Sequence, residues 1–188
     1  MNVIGYVASP RKAGSTAWAV NTLLEGAAAG GADTRSWHCA DLEITPCRGC
    51  LGCKKGELRC LVEDGMQTMY DALERADALV LGSPIYMGQM TAQAKMFTDR
   101  LFAQHSPRFS PHFKDRNAGK KLILVFTQGN PDGDWFRQYI DYTRDMFRLL
   151  EFDVRGLHVI AGTRTGPASV QQGLRAALLA AGSALVSE

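Results

Sequence analysis

The sequence predicts an α/β fold, a sheet of five mostly parallel strands with helices on both faces. Two observations carry that expectation. Apolar strand-like runs alternate with helically spaced segments along all 188 residues, which is the pattern of linked βαβ units. The runs are also short and almost continuously apolar, as in LILVF at 122–126, which suits strands buried on both sides. With 46% hydrophobic residues the chain can build one sizeable core, and its length favours a single domain over residues 1–188.

The elements follow in order. Val3 to Ala8 is a buried strand ended by Ser9-Pro10. From Ser15 to about Ala29, Trp18, Leu23, Leu24 and Ala27 recur at helical spacing, and Gly30-Gly31 stops the helix. Thr34 to Cys39 reads as the second strand. Asp64 to about Arg75 is a helix with Asp64 as its N-cap and Met66, Met69, Tyr70 and Leu73 on one face. Ala76 to Leu81 is the third strand, cut off by Gly82-Ser83-Pro84. A helix from Thr91 to about Gln104, a strand from Lys121 to Thr127, a helix from Asp134 to Leu150, a strand from Val154 to Ile160 and a helix from Ser169 to about Ala181 complete the chain. Two connections are long for a compact domain, about 41–63 and 105–120, and such loops are usually functional or disordered. The first reads as a cysteine-rich insertion, the second as a lid or a subunit contact.

Composition excludes several classes. The net charge of +2 is too small for a dedicated nucleic-acid surface. No run of eighteen apolar residues exists to span a bilayer as a helix. The N-terminus MNVIGYVASPRK places its charges after a short apolar stretch, the reverse of a secretory signal, so a cytoplasmic location is expected. Four of the five cysteines fall between positions 47 and 60. Thiols crowded so closely bind metal or do redox chemistry more often than they staple a secreted domain.

The turn after the first strand, Ala8-Ser9-Pro10-Arg11-Lys12-Ala13-Gly14-Ser15-Thr16, opens directly onto a helix. A helix N-terminus offers unpaired N–H groups and a positive dipole end, which suit a phosphate. Ser9, Ser15 and Thr16 add hydroxyls, Arg11 a charged fork, and Gly14 room for close approach. Neither G-x-x-x-x-G-K-[ST] nor G-x-G-x-x-G occurs in the chain, so a monophosphate is the better reading. The plainer alternative is a solvated loop with a Ser/Thr helix cap.

In doubly wound sheets a ligand sits beyond the carboxyl ends of the strands where strand order reverses. For the order 2-1-3-4-5 that point lies between the first and third strands. The loop after the third strand, Ser83 to Met90, offers Pro84, Tyr86, Met87 and Gly88 to the face and edge of a planar ring. Thr127-Gln128-Gly129-Asn130-Pro131, after the fourth strand, lies at the same end. Tyr86 and Met87 as simple core caps are the alternative.

The segments ASPRKAGST, GSPIYMG followed by TAQAKMFTDR, and TQGNP resemble the NADPH-dependent FMN reductase and iron–sulfur flavoprotein branch of the flavodoxin superfamily. The likeness runs from about residue 2 to residue 131. It implies a flavodoxin-like three-layer sandwich that binds FMN, with Ser9, Arg11, Ser15 and Thr16 around the phosphate. Pro84, Tyr86, Met87 and Gly88 would then contact the isoalloxazine, with Gln128 and Gly129 nearby. Ala8 departs from a common glycine and Ser15 from a common asparagine.

Cys47-x2-Cys50-x2-Cys53-x6-Cys60 is the most specific motif in the chain. Cube-type iron–sulfur clusters need four thiolates converging on one small volume, and Gly49, Gly52 and Gly56 allow tight folding. Structural zinc more often uses two C-x-x-C knuckles separated by a longer insert. PCRGCLGCKKGELRCLVEDGM resembles the motif with which iron–sulfur flavoproteins place a [4Fe–4S] cluster near FMN, Gly65 departing from a common aspartate. Reduced thiols or a disulfide, and zinc, remain the other readings. Cys39 reads as a small buried hydrophobe, the four histidines form no cluster, and Asp99-Arg100 and Asp132 orient groups near the flavin or form surface ion pairs.

The expected function is electron transfer between a [4Fe–4S] cluster and FMN, the flavin carrying the chemistry. With the cluster present, the implied partner is a ferredoxin-like donor, and the family resemblance implies a homodimer or homotetramer. An NAD(P)H-dependent FMN or quinone reductase without a cluster is the second reading, and a zinc- or redox-sensing protein without turnover the third.

Overall fold

The computed structural model describes residues 1–55, 60–105 and 116–187. Its strands are β1 (Asn2–Val7), β2 (Asp33–His38), β3 (Ala78–Tyr86), β4 (Gln89–Met90), β5 (Lys121–Thr127) and β6 (Asp153–Ile160). The helices are α1 (Ser15–Ala29), α2 (Met66–Arg75), α3 (Ala92–Arg100), α4 (Arg137–Leu149) and α5 (Leu174–Ser187). Five strands pair in parallel in the order β2-β1-β3-β5-β6, the flavodoxin-like arrangement.

Strand side chains alternate between two buried faces. Ile4, Tyr6, Leu79, Leu81, Leu122, Leu124 and Phe126 pack into the core under α2, α3 and α4. Val3, Val7, Ala78, Val80, Ile123 and Val125 face the opposite core, under α1 and α5. Pairs such as Val3↔Ala78 and Leu79↔Leu122 keep that alternation in register across the sheet. The α1–α5 crossing is backbone-close. A Cβ on Gly26 would stand 2.1 Å from the Leu179 carbonyl oxygen, and one on Gly182 would stand 2.0 Å from that of Leu23.

The sheet departs from expectation beyond Leu81. Gly82-Ser83-Pro84 does not end the strand: β3 continues to Tyr86 and turns back antiparallel into β4. Alternate residues of a strand address the same neighbour, and the Gly82 carbonyl accepts from the Ala8 N–H. Pro84 therefore faces the side where β1 has already ended, and its missing donor costs nothing. On the other side Pro84 still registers with Thr127 of β5. The hairpin turn, Met87-Gly88, has φ of 49° and 82°, the two positive angles that match a two-residue turn to strand twist.

Other boundaries shift. The closing helix begins five residues later than expected, after a short 3-10 turn at Ala168–Val170. The third helix gives way to a 3-10 turn at Leu101–Ala103. The N-cap of α2 is Gly65 and not the expected Asp64, which stands one residue earlier and accepts from the Met66 N–H through Oδ1. Residues 106–115, the body of the expected lid or subunit contact, lie outside the described residues. Among the described residues no helix is long and apolar enough to cross a membrane.

Candidate functional site

The carboxyl ends of β1, β3, β5 and β6 converge on one cavity of about 340 Å³, lined by Ser9, Arg11, Gly14, Ser15, Thr16, Pro84, Ile85, Tyr86, Thr127, Gly129, Thr163 and Arg164. Local sequence explains its floor. Ser9 Oγ accepts from the Arg11 N–H, folding the loop into a tight turn just before α1. Helix α1 starts after Gly14 with no side-chain cap and no acidic residue in its first turn. Its first N–H groups and its positive dipole end are therefore left to an outside acceptor. The Ser/Thr cap of the plainer alternative is absent there, and the donors present (open amides, two serine hydroxyls, two arginines) fit a phosphate ester.

Seven of the ten sequence-predicted cofactor residues line this cavity: Ser9, Arg11, Ser15, Thr16, Pro84, Tyr86 and Gly129. Besides Ser9, two more of their hydroxyls already have protein partners. Thr16 Oγ1 bonds Thr127 Oγ1 at 2.7 Å, tying α1 to the end of β5, and Ser15 Oγ accepts from the Ala168 N–H. Met87 and Gly88 stand beyond the lining at the hairpin tip, where Met87 is fully exposed and Gly88 packs beside the Phe136 ring. Gln128 is buried behind the wall. Its carbonyl accepts from the Thr163 N–H and Oγ1, and its Nε2 donates to the Asp132 carbonyl, so it latches two loops together.

Sequence reasoning missed Thr163 and Arg164, which come from the loop after β6. The signal was available. Every strand end at this edge of the sheet borders the ligand position, and AGTRTG carries an arginine between glycines. Gly129, having no side chain, leaves room for Arg164, whose Cβ and Nε stand 3.5 and 3.7 Å from where a Cβ would be.

The cysteine loop leaves the end of β2 beside the loop between β1 and α1. Cys39 is buried and its thiol donates to the Ser9 carbonyl; burial pushes that thiol's pKa up. Lys12 and Asp41 form an ion pair across the same junction, and the Lys12 hydrogen bond holds the Asp41 carboxyl below its ordinary range. Further on, Cys47, Cys50, Cys53 and Cys60 line one small cavity of about 40 Å³ with Arg48, Gly49, Leu51, Val62, Arg100 and Phe102. All four are free thiols, with Cys47 and Cys50 exposed. Burial raises the Cys53 thiol, Lys54 opposes that, and the other three cysteines add to it. Leu51, inside the motif, has a left-handed φ of 56°, a costly conformation of the kind that clusters at functional sites. Gly56 lies outside the described residues.

One buried ion pair anchors this loop. Arg100, 1% exposed, grips Asp64 through Nη1 at 2.8 Å and Nη2 at 3.1 Å. It also donates to the Thr45 and Val62 carbonyls, so it joins the two ends of the cysteine segment. Burial alone would raise the Asp64 carboxyl, but hydrogen bonds from Arg100, Thr45 and Met66 outweigh it and hold the group far below its ordinary value. Of the two roles foreseen for Asp99-Arg100, only Asp99 makes a surface pair, with Lys95. Among the described residues, no three metal-donor side chains are gathered as a ready metal site. The residue set still fits a sulfur-ligated centre: four cysteines line one cavity, and Arg100 in its wall has a buried N–H with no partner among the described residues.

The profile of the NADPH-dependent FMN reductase family matches residues 1–188. An iron-sulfur flavoprotein of Methanocaldococcus jannaschii is 40% identical over 100 residues, 53% of this chain and 51% of that protein. An iron-sulfur flavoprotein of Archaeoglobus fulgidus is 30% identical over 134 residues, 70% of this chain and 58% of that protein. The chain spans about half the length of the curated relatives it matches. Among solved structures, an NAD(P)H:quinone oxidoreductase from Methanothermobacter marburgensis superposes with a TM-score of 0.74 at 14% identity, covering 99% of this chain and 95% of that one. At that identity the likeness speaks for the fold.

Proposed function

We propose, from the premise that this chain belongs to the NADPH-dependent FMN reductase family, that it is a flavin-dependent oxidoreductase. In this reading it holds FMN in the four-loop cavity and passes electrons between that flavin and a [4Fe–4S] cluster on Cys47, Cys50, Cys53 and Cys60. The observation that carries the reading is the uncapped start of α1 opening into a cavity that also receives Arg11 and Arg164. The iron-sulfur flavoprotein relatives support the cluster half of it.

The roles of the chain's own groups follow from their chemistry. The first-turn amides of α1, Ser9 and Ser15 bind the phosphate, and Arg11 offsets its charge. Pro84, Ile85 and Tyr86 give a planar ring an apolar wall with one polar edge. The Gln128 latch holds the β5 and β6 loops at fixed spacing, which keeps Gly129 and Arg164 in place. When bound, FMN supplies the redox chemistry, and the protein contributes position and electrostatics. A ferredoxin-like donor or NAD(P)H would bring the electrons, and the assembly would be a homodimer or homotetramer.

A second reading, an NAD(P)H-dependent FMN or quinone reductase without a cluster, draws on the exposure of Cys47 and Cys50. Anaerobic purification separates the two. Flavin colour that bleaches with NAD(P)H, together with iron and acid-labile sulfide in equal amounts, is the expected result. Flavin with zinc or no metal would leave the second reading, and a colourless protein that binds no added FMN would reject both.

A further inference from the structure

We infer that Arg100 is a positioning residue of the cysteine cavity, directing its last free donor, Nε–H, to a cysteine sulfur in the metal-bound loop; the inference rests on the four-cysteine ligation proposed above. The count of donors leads there. A guanidinium has five N–H groups in a fixed fork. Four are used: Nη1 on Asp64 Oδ2 and the Thr45 carbonyl, Nη2 on Asp64 Oδ1 and the Val62 carbonyl. The fifth, Nε–H, is buried and has no partner among the described residues. Leaving a buried donor unsatisfied is costly, more so on a charged group.

The surroundings narrow what that donor meets. Arg100 is in the wall of the cavity that all four cysteines line, and Leu51, Val62 and Phe102 make the rest of that wall largely apolar. Thiolate sulfurs are the acceptors that metal binding would create there. The clamp on Thr45 and Val62 also brackets the motif, one carbonyl before Cys47 and the other after Cys60. Arg100 thus fixes the span across which the thiolates must converge. Hydrogen bonds to ligand sulfur favour the more reduced, more negative form of a cluster and so raise its potential, and outer partners of this kind also strengthen metal binding.

The test uses the full chain with FMN, prepared anaerobically, in wild type, Arg100→Lys and the neutral pair Arg100→Met/Asp64→Asn. FMN content reports folding. If Arg100→Lys loses FMN, the double variant, which leaves no buried charge unpaired, takes its place. Two readouts are compared with wild type: the cluster midpoint potential, and Zn²⁺ affinity of the iron-free protein by chelator competition. The inference expects a more negative potential and about a tenfold or greater loss of Zn²⁺ affinity, with FMN retained. Unchanged potential and Zn²⁺ affinity would overturn it while leaving the cluster reading intact. Wild type without iron but with Zn²⁺ affinity weakened by the variants would reject the cluster and keep the role of Arg100. Wild type that binds neither metal would overturn both.

Discussion

The proposed flavin cavity and the cysteine cavity share a junction, where Cys39 bonds Ser9, yet they are built on different principles. The first is made where four parallel strands end together, so its walls are set by the sheet register and by the start of α1. The second is an irregular loop closed by one buried ion pair, Arg100–Asp64, whose partners are 36 residues apart. Ideal helix rise puts Arg100 about 13 Å along α3 from its N-cap, Thr91, which bonds the Ala8 carbonyl beside the phosphate loop. A scaffold-held site should tolerate single changes around it. A clamp-held site should fail when the clamp does.

The largest expected effect breaks the clamp. Asp64→Asn leaves a buried guanidinium uncompensated and should cost about 3–5 kcal/mol, read as a lower urea midpoint. Cys53 and Cys60 should then react faster with a thiol reagent, while FMN affinity at low denaturant stays near wild type. Loss of FMN affinity in step with thiol exposure would erase the distinction between the two regions.

On the other side, Arg11→Ala and Arg164→Ala each remove a charged donor from the flavin cavity. Each should weaken FMN by about 1.5–3 kcal/mol, roughly ten- to a hundredfold in Kd by fluorescence titration, with iron content unchanged. Unaltered affinity in both variants would mean the phosphate is held elsewhere.

Acid should separate the regions in a third way. The folded-state pKa of Asp64 is depressed, so its stabilisation is fully present above the ordinary carboxylate value near 3.9 and is lost as pH falls below it. Hydrogen exchange at 44–45 and 62–66 should be slow at pH 5 and accelerate only well below pH 4, after correction for intrinsic rates. Opening of the loop already at pH 5 would contradict the clamp. The smallest effects concern backbone strain. Met87→Gly and Leu51→Gly relieve left-handed backbone but loosen the unfolded chain, so each should shift stability by less than about 1 kcal/mol in thermal melts.

Much of the scaffold was legible because its signals are local. Buried strands alternate, a helix follows each turn, and the strand order places three loops around one point. The misses are non-local. Pro84 looked like a strand terminator until its missing donor was seen to face the side β1 had vacated. Thr16 lines the cavity as its place in the loop suggests, but the bond from its hydroxyl to Thr127 across the sheet is a long-range contact that the local pattern does not encode. Thr163 and Arg164 were overlooked because the loop after β6 matched none of the quoted motifs. Arg100, next to Asp99 in a helix, had surface pairing as one of its two readings; burial and a partner at Asp64 are set by packing that periodicity does not encode.

The separation of the two sites is tested most directly by one assay on Cys53→Ser beside wild type, with FMN, iron and acid-labile sulfide measured on the same anaerobic preparations. Stoichiometric FMN in both proteins, with iron and sulfide in wild type alone, is the expected result. FMN lost together with the iron, or absent from both proteins, would contradict it.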